Sequence, residues 1–208
     1  MAGWAARLYE PVLGRLLEGV RRTALALSLP HSGMTVIDVG CGAGAMLARY
    51  AAAGCRVVGL DASPDMLFEA RRRLGPGTWL AIGEAAALPF AADTADLVTA
   101  TMLLHTLPEE GRPATLAGMA RVAGSRGRVL IADYGPDRAP GLGARLARCA
   151  AAAIEGLAGH GPGVRSLRAA GGVAGLATAA GMVVESEAAA AGGAIAVVLL
   201  RPAAPPNR

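Results

Sequence analysis

A strand followed by three alternate glycines, residues 36–44 (VIDVGCGAG), constrains the fold of this chain more than any other segment. The apolar run is typical of a buried parallel strand, and the Ala/Leu/Arg stretch behind it is typical of a helix. Because Gly40, Gly42 and Gly44 lack a Cβ, the turn can adopt positive φ and bring backbone amides against a ligand at the helix N-terminus. The segment therefore predicts an open α/β sheet that binds a small molecule at its carboxyl edge.

This glycine turn admits two classes of ligand. It satisfies the G-x-G-x-x-A fingerprint of nicotinamide dinucleotide sites, and Asp61 follows Gly40 by 21 residues. Asp38, two residues before the first glycine, favours instead a ligand with a cationic amino group, because its carboxylate would repel a pyrophosphate in the turn. A nicotinamide-dependent oxidoreductase stays open at this point as the alternative.

Short apolar strands alternate with helical segments along the chain, which predicts a parallel sheet with right-handed crossovers. The predicted strands are residues 35–39, 56–60, 79–82, 97–101, 128–133, 182–187 and 194–200. The predicted helices are two within 4–28, separated at Pro11, followed by 44–53, 64–73, 109–122, 142–158, a short helix ending before Gly171 and a helix over 173–180. We predict exposed loops at 135–143 and 159–163, where prolines and glycines concentrate.

Four further motifs follow the glycine turn in order: VVGLDASPDML at 57–67, GEAAALPF at 83–90, ADLVTAT at 95–101 and GRVLIADY at 127–134. With the turn, they resemble the class I S-adenosylmethionine-dependent methyltransferases, especially the small-molecule branch that includes the ubiquinone and menaquinone biosynthesis (type 11) methyltransferases. The resemblance is motif by motif over residues 34–135 and in outline elsewhere. It implies an α/β fold, a Rossmann-like three-layer sandwich with a seven-stranded, mostly parallel sheet whose last strand is antiparallel.

The length of 208 residues predicts one domain. Within it we expect a helical cover over residues 1–33, a cofactor-binding core over 34–135, and C-terminal helices with the last two strands over 136–208. No apolar stretch approaches the length of about 20 residues that a membrane-spanning helix needs, and no secretory signal is apparent. We therefore expect a cytoplasmic protein without an integral membrane segment.

The resemblance implies a binding role for each part of S-adenosylmethionine, with S-adenosylhomocysteine as the product. The glycine turn would pass under the methionine portion, Asp38 would bind its ammonium group, and Asp61 would accept hydrogen bonds from the ribose hydroxyls. Glu84 stands where the family usually has Asp and is one methylene longer, while Ala85 would lie against the adenine. The expected cofactor-binding residues are Asp38, Gly40, Cys41, Gly42, Gly44, Asp61, Ala62, Glu84, Ala85 and Thr101.

The sequence specifies the residues that bind the methyl acceptor less closely than those that bind the cofactor. His105 lies where the family often carries a histidine near the acceptor, and it is the candidate catalytic residue, either as a base or as a residue that shapes the pocket. The expected substrate-pocket residues are Tyr9, Met102, His105, Tyr134 and His160, with Asp133 also bordering the pocket. A base is needed only if the acceptor must lose a proton, because the sulfonium charge already activates the methyl group.

The composition of the chain limits the kinds of metal and macromolecule that it is expected to bind. Cys41, Cys55 and Cys149 are odd in number and widely separated, which fits neither a disulfide framework nor a metal site, so no metal is expected. The chain has a net charge of +4, but its arginines are dispersed, and the run Arg71-Arg72-Arg73 is typical of a solvated helix end. No nucleic-acid-binding groove is predicted. The oligomeric state stays open, with a homodimer as one option.

These observations together predict the transfer of a methyl group from S-adenosylmethionine to a small molecule, at carbon or oxygen. A quinone-like or aromatic acceptor is the first choice. The nicotinamide-dependent oxidoreductase and a non-catalytic protein that binds S-adenosylmethionine or S-adenosylhomocysteine are the alternatives.

Overall fold

The computed structural model describes residues 17–136 and 159–203. Its strands are β1 (Thr35–Val39), β2 (Arg56–Asp61), β3 (Trp79–Ile82), β4 (Leu97–Thr101), β5 (Arg128–Tyr134), β6 (Met182–Ala190) and β7 (Ile195–Pro202). Its α-helices are α1 (described over 17–28), α2 (Ala45–Ala52), α3 (Pro64–Leu74), α4 (Arg112–Ala123), α5 (Gly161–Ala169) and α6 (Gly172–Ala179). Short 3₁₀ turns occur at Leu104–Thr106, Glu109–Gly111 and Ala191–Gly193.

All seven strands form one sheet in the order β3-β2-β1-β4-β5-β7-β6. The first five are parallel, and β7 runs antiparallel to both β5 and β6. The predicted Rossmann-like sheet with an antiparallel last strand is confirmed. Its strand order reverses direction between β1 and β4, which is where open α/β sheets form a ligand crevice at their carboxyl edge.

The central strands are buried along nearly their whole length, whereas the edge strands β3 and β6 are largely exposed. This contrast follows from the sequence, because β5 and β7 are nearly continuous runs of Val, Ile, Leu and Ala, as expected for strands covered on both faces. Helices α1, α4, α5 and α6 all contribute to the same buried cluster as these strands. The sheet therefore gives the site a rigid base.

Helix α3 begins as its sequence predicts. The Ser63 hydroxyl accepts a hydrogen bond from the Met66 N–H at 3.3 Å, and Pro64 occupies the first helical position. Gly75, at φ 85°, ends the helix. This cap fixes the short connection that follows β2, so that Asp61 is held at the carboxyl edge of the sheet.

Two segments differ from their predicted structure. The loop predicted at 159–163 ends early, because α5 begins at Gly161 with Pro162 in its first turn, a position that proline favours. The helix predicted from 109 starts as a 3₁₀ turn and becomes α-helical at Arg112. The first 13 residues of the helical region predicted over 4–28, the predicted helix over 142–158 and most of the loop predicted over 135–143 lie outside the described residues.

None of the helices within residues 17–136 and 159–203 combines the length and the hydrophobicity that a membrane span requires.

Candidate active site

The glycine turn lies at the carboxyl end of β1, at the sheet's crevice. Gly40, Gly42 and Gly44 all have positive φ, of 68°, 53° and 75°. A Cβ on Gly40 would come within 2.6 Å of the Leu103 side chain, and one on Gly44 within 2.9 Å of the Leu74 side chain. A Cβ on Gly42 would meet no atom within 4 Å. A side chain on either outer glycine would displace a neighbouring leucine side chain, whereas the middle glycine borders open space that a ligand can use.

Asp61, the last residue of β2, is fixed beside this turn. Its Oδ2 accepts a hydrogen bond from the Gly42 N–H at 2.7 Å, and its Oδ1 accepts one from the Ser63 N–H at 2.9 Å. Each carboxylate oxygen has a further lone pair. The side chain is therefore positioned to accept two hydroxyl groups of a ligand that lies across the turn.

Asp38 is buried between β1 and β4, with 2% of its surface exposed. The two strands place it opposite Thr99, whose hydroxyl donates a hydrogen bond to Asp38 Oδ1 at 2.6 Å. Burial raises the pKa of Asp38 to about 7, against the opposing effect of the Thr99 hydrogen bond, and the nearby Asp61 charge raises it further. A cationic ligand group at this position would favour the ionised form.

At the carboxyl end of β4, the Thr101 hydroxyl is buried and has no hydrogen-bond partner among the described residues. A buried hydroxyl left in this state costs about 1–3 kcal/mol. The next residue, Met102, has a positive φ of 58°, a conformation that non-glycine residues adopt at a cost and mostly where function requires it. The unpartnered hydroxyl, the open space at Gly42 and the two acids together fit a ligand with hydroxyl groups and an ammonium group.

Ala62 and Glu84 follow β2 and β3, whose register brings their carboxyl ends to the same edge of the sheet. Both residues are exposed, whereas Ala85 is buried. Ala62, Glu84 and Ala85 therefore border the part of the crevice next to Asp61, where a planar ring of a bound ligand could lie. Cys41 is buried within the turn as a free thiol, and burial is the main cause that raises its pKa far above the ordinary value. The Cys41 thiol is therefore kept protonated, which does not suit a nucleophile.

His105 lies in the 3₁₀ turn after β4 and is bonded to Asp133 of β5. His105 Nδ1 lies 2.7 Å from Asp133 Oδ1, and the His105 backbone N–H donates to Asp133 Oδ2 at 3.2 Å. Asp133 Oδ1 also accepts from the Tyr134 backbone N–H at 2.7 Å. Both side chains are buried, with 3% of His105 and 0% of Asp133 exposed.

Two of the predicted pocket residues contact this pair. The Tyr134 ring lies edge-on to the His105 ring, with 5.0 Å between centroids, and the His160 ring lies 5.8 Å away. Met102 borders the same crevice at the end of β4, while Tyr9 lies outside the described residues. The structure thus brings together His105, Tyr134 and His160 from three separate segments of the chain.

A family model for a methyltransferase domain matches residues 36–127, which hold the glycine turn, Asp61 and β4. These residues form an S-adenosylmethionine-dependent methyltransferase domain. The match decides between the two interpretations of the glycine turn in favour of the methyltransferase, whose cofactor is S-adenosylmethionine. The predicted resemblance is confirmed.

Curated relatives match between about half and two thirds of the chain. The demethylmenaquinone methyltransferase of Renibacterium salmoninarum is 38% identical over 102 residues, which are 49% of this chain and 42% of the relative. The nocamycin O-methyltransferase of Saccharothrix syringae is 34% identical over 145 residues, covering 66% of this chain and 50% of the relative. The chain spans about half the length of these curated relatives.

A solved structure extends the likeness of the fold to nearly the whole chain. The magnesium protoporphyrin IX methyltransferase of Synechocystis, solved with bound S-adenosylhomocysteine, superposes with a TM-score of 0.62 at 18% identity. The alignment covers 92% of this chain and 87% of that one. The methyltransferase domain therefore shares its sheet and helices with a protein that binds the demethylated cofactor.

One contact at the candidate site, the hydrogen bond between Thr99 and Asp38, was absent from the prediction. The signal for it is the strand order, because a parallel β1–β4 pair in this register sets Asp38 against Thr99. Among the described residues, no group of three His, Cys, Asp or Glu side chains is arranged to hold a metal ion.

Replacing Asp61 with alanine should weaken the binding of S-adenosylhomocysteine by roughly 1.5–3 kcal/mol, the range for hydrogen bonds to a charged group. The variant loses acceptors for the ligand and for the Gly42 and Ser63 amides. Calorimetric titration measures the affinity, and Asp65→Ala, which removes an exposed carboxylate from the first turn of α3, is the control. Equal affinity in the folded Asp61→Ala variant would exclude Asp61 from the site.

Binding of S-adenosylhomocysteine should strengthen as the pH rises from 5.5 to 7.5. The pKa of Asp38, about 7, lies above its ordinary value of 3.8, so the folded free protein retains a proton that the ligand ammonium must displace. We expect the affinity to change by about tenfold for each pH unit below 7. The heat of binding should depend on the buffer, because a proton is released.

The raised pKa of Asp38 also determines how this residue affects the stability of the free protein. Its stabilising contribution is fully present below about pH 3.8 and is lost as the pH rises through about 7. Asp38→Asn should remove both pH effects. A pH dependence of affinity that survives unchanged in Asp38→Asn would assign it to another group.

Proposed function

We propose that this chain transfers a methyl group from S-adenosylmethionine to a small-molecule acceptor, at carbon or oxygen, with a quinone-like or aromatic acceptor as the first choice. The observation that carries the proposal is the crevice itself, where the glycine turn fixed by Asp61 lies at the same edge of the sheet as the buried His105–Asp133 pair. The relatives' names, a demethylmenaquinone methyltransferase and an O-methyltransferase, support a small acceptor.

Different residues of the chain bind different parts of the cofactor. Asp38 binds the ammonium group, Asp61 binds the ribose hydroxyls, and the amides of the glycine turn lie against the methionine portion. The adenine lies against Ala85, with Ala62 and Glu84 at its edge, and the Thr101 hydroxyl gains a partner when the ligand binds. Bound S-adenosylmethionine supplies a methyl group that its sulfonium charge has already activated.

The chain's main contribution to the reaction is then alignment. Holding two reactants in the correct geometry can lower a barrier by about 7–11 kcal/mol. Met102, Tyr134, His160 and, from outside the described residues, Tyr9 form the acceptor pocket in this proposal, with His105 at its centre. Of these residues, His105 and Tyr134 are buried, and in this proposal they keep water from the transferring methyl group.

We propose further that the chain is one domain, with a helical cover over 1–33, a cofactor-binding core over 34–135 and a C-terminal part over 136–208. The larger of the two buried clusters among the described residues joins α1, the central strands, α4, α5 and α6, which supports this division into parts of one unit. Cooperative unfolding in one transition, monitored by two probes, is the expected result.

Methyl transfer is tested by incubating the protein with S-adenosylmethionine labelled at the methyl group and a fractionated metabolite extract. Label should appear in a small organic product, whose mass and spectrum identify the acceptor atom. S-adenosylhomocysteine binding is measured in parallel by calorimetry. Tight binding without label transfer to any fraction would instead favour the non-catalytic cofactor-binding protein.

A further inference from the structure

The edge strand β3 and the outer side of α3 expose three large apolar side chains. Trp79, Ile82 and Phe68 are 76%, 66% and 65% exposed. Aromatic and aliphatic side chains grouped in this way on one side of a protein are typical of an interaction surface. We propose that two copies of this chain pair through β3, antiparallel about a two-fold axis at Ala81, so that their sheets join into one. This pairing is independent of the methyl acceptor.

The two edges of the sheet differ in their protection against pairing. β6 has a register shift between Val184 and Ser186, and Glu185 and Glu187 are exposed along it. Bulges and charged side chains hinder an edge strand from pairing with another chain. The four residues of β3, Trp-Leu-Ala-Ile, include no charge and no proline, and their register with β2 is regular. β3 is therefore the edge that can accept another strand.

The hydrogen bonds between β3 and β2 determine which backbone groups of β3 face outwards. The Gly83 N–H donates to the Asp61 carbonyl at 3.1 Å, in continuation of the parallel ladder. Because alternate residues of a strand turn their backbone groups to opposite sides, Ala81 also faces β2, whereas Leu80 and Ile82 turn their N–H and C=O groups outwards. Among the described residues, no strand pairs with these outward groups.

A two-fold axis at Ala81 pairs all of these outward groups. Opposite residues of an antiparallel pair project from the same face, so the axis of a symmetric pair passes through a residue. With the axis at Ala81, Leu80 of each copy lies opposite Ile82 of the other, and the two exchange both of their N–H···O bonds. An axis at Leu80 would require the Thr78 carbonyl, which already accepts a hydrogen bond from Arg71 Nη1.

The same register gives partners to the side chains on both faces of the joined sheet. On the face that packs against Leu67 of α3, Leu80 of one copy lies beside Ile82 of the other. On the opposite face, Trp79 lies opposite Gly83 of the other copy, where the missing side chain leaves room for an indole ring. Aromatic residues placed across from a glycine at a sheet edge stabilise such pairs. The exposed apolar side chains of β3 are therefore complementary to β3 itself.

Helix α3 carries Phe68 on the side that faces the second copy. Ala70 packs against the glycine turn, where a Cβ on Gly44 would meet it at 3.2 Å. At about 100° per residue, Phe68 lies about 200° around the helix from Ala70, away from α2 and towards the β3 edge. It also lies about 6 Å along the helix from Pro64, which places it near the level of Ala81. The two-fold axis therefore brings the two Phe68 rings together.

The charges of α3 point to a second copy of this chain as the occupant. Asp65 lies exposed in the first turn of α3 and Arg72 exposed in the last, on either side of Phe68 along the helix. The axis sets the two helices antiparallel, about two strand spacings or 10 Å apart, which is a usual distance for packed helices. Asp65 of each copy then meets Arg72 of the other. A charge pattern that complements itself under a two-fold axis is what an isologous interface requires.

The test is the mass of the full chain in solution, measured by sedimentation velocity over a range of concentrations. The wild type should form a dimer. Asp65→Arg and Arg72→Asp each set like charges against each other at two places, so each should raise the dimer dissociation constant by about 10²-fold or more. Mixed in equal amounts, the two variants should form a heterodimer, because each substituted side chain then meets an opposite charge.

A second variant tests the strand itself. Ile82→Lys places a charge in the pairing edge and should dissociate the dimer, whereas Val183→Lys, at an exposed apolar position of the protected edge β6, is the matched control and should not. Hydrogen exchange measured by NMR reports the register. The Leu80 and Ile82 amides should be protected in the wild type and exchange freely in Asp65→Arg, whereas the Ala81 amide stays protected in both. Circular dichroism and thermal unfolding check that each variant is folded.

Three results would overturn the pairing of two copies through β3. A wild type that is monomeric at every concentration leaves the β3 edge to a strand of a different protein. A dimer that survives Ile82→Lys and both charge reversals has its contact elsewhere. An equal mixture of the two folded charge-reversal variants that stays monomeric contradicts the two-fold arrangement of α3.

Discussion

Replacing Gly42 with valine should abolish the binding of S-adenosylhomocysteine while the chain still folds. Gly42 has φ 53°, and the space beyond its absent Cβ contains no protein atom within 4 Å. A valine side chain would fill the volume that the proposed ligand occupies, and a branched residue adopts positive φ only with strain. Its amide also donates to Asp61, so a displaced turn would disturb the ribose site as well.

The control for this variant is Gly33→Val. Gly33 also has positive φ, 85°, and a Cβ added there would meet no atom within 4 Å, but it lies in the turn before β1, away from the crevice. Both variants should lose stability through backbone strain, of order 1–3 kcal/mol. Thermal unfolding and calorimetry separate the two effects. Normal ligand affinity in folded Gly42→Val would contradict the proposed path of the cofactor across the turn.

Replacing His105 with glutamine should lower turnover by about 10²–10⁴-fold, the usual contribution of a general base, with the affinity for S-adenosylhomocysteine preserved. Glutamine can still donate a hydrogen bond to Asp133 but cannot accept a proton. The wild-type rate should rise with pH across the range in which imidazoles ionise, because only the neutral ring can act as a base. The variant should lack this step.

His31→Gln is the control for this substitution, since His31 lies exposed in the turn before β1. The kinetic constants also separate a base from a residue that only shapes the pocket. Loss of a base lowers kcat. A change in the shape of the acceptor pocket instead raises KM for the acceptor and leaves the pH profile intact. Full activity and unchanged acceptor KM in His105→Gln would exclude both roles.

Local sequence signals were sufficient to predict the strands and the helix cap around the proposed cofactor site. The strands β1, β3 and β4 begin and end at the predicted residues, because each is an apolar run bounded by turn residues. The cap of α3 by Ser63 was likewise predicted from adjacent residues. These features depend on neighbours within a few positions of each other.

The acceptor half depends on contacts between distant residues, which periodicity and motifs do not specify. His105 meets Asp133 across 28 positions, and Arg112 meets Gly163 across 51. Such contacts follow from the docking of helices, not from the residue types alone.

The antiparallel pairing of β7 with β5 has a consequence for the order in which the site can form during synthesis. Asp133 and Tyr134 lie opposite Ala196 and Ile195, so the strand that carries these two residues is completed by residues that leave the ribosome more than 60 positions later. Until then, β5 has an unpaired edge that can template association with other chains. The cofactor cradle can thus assemble early on the nascent chain, whereas the acceptor side has to wait for β7.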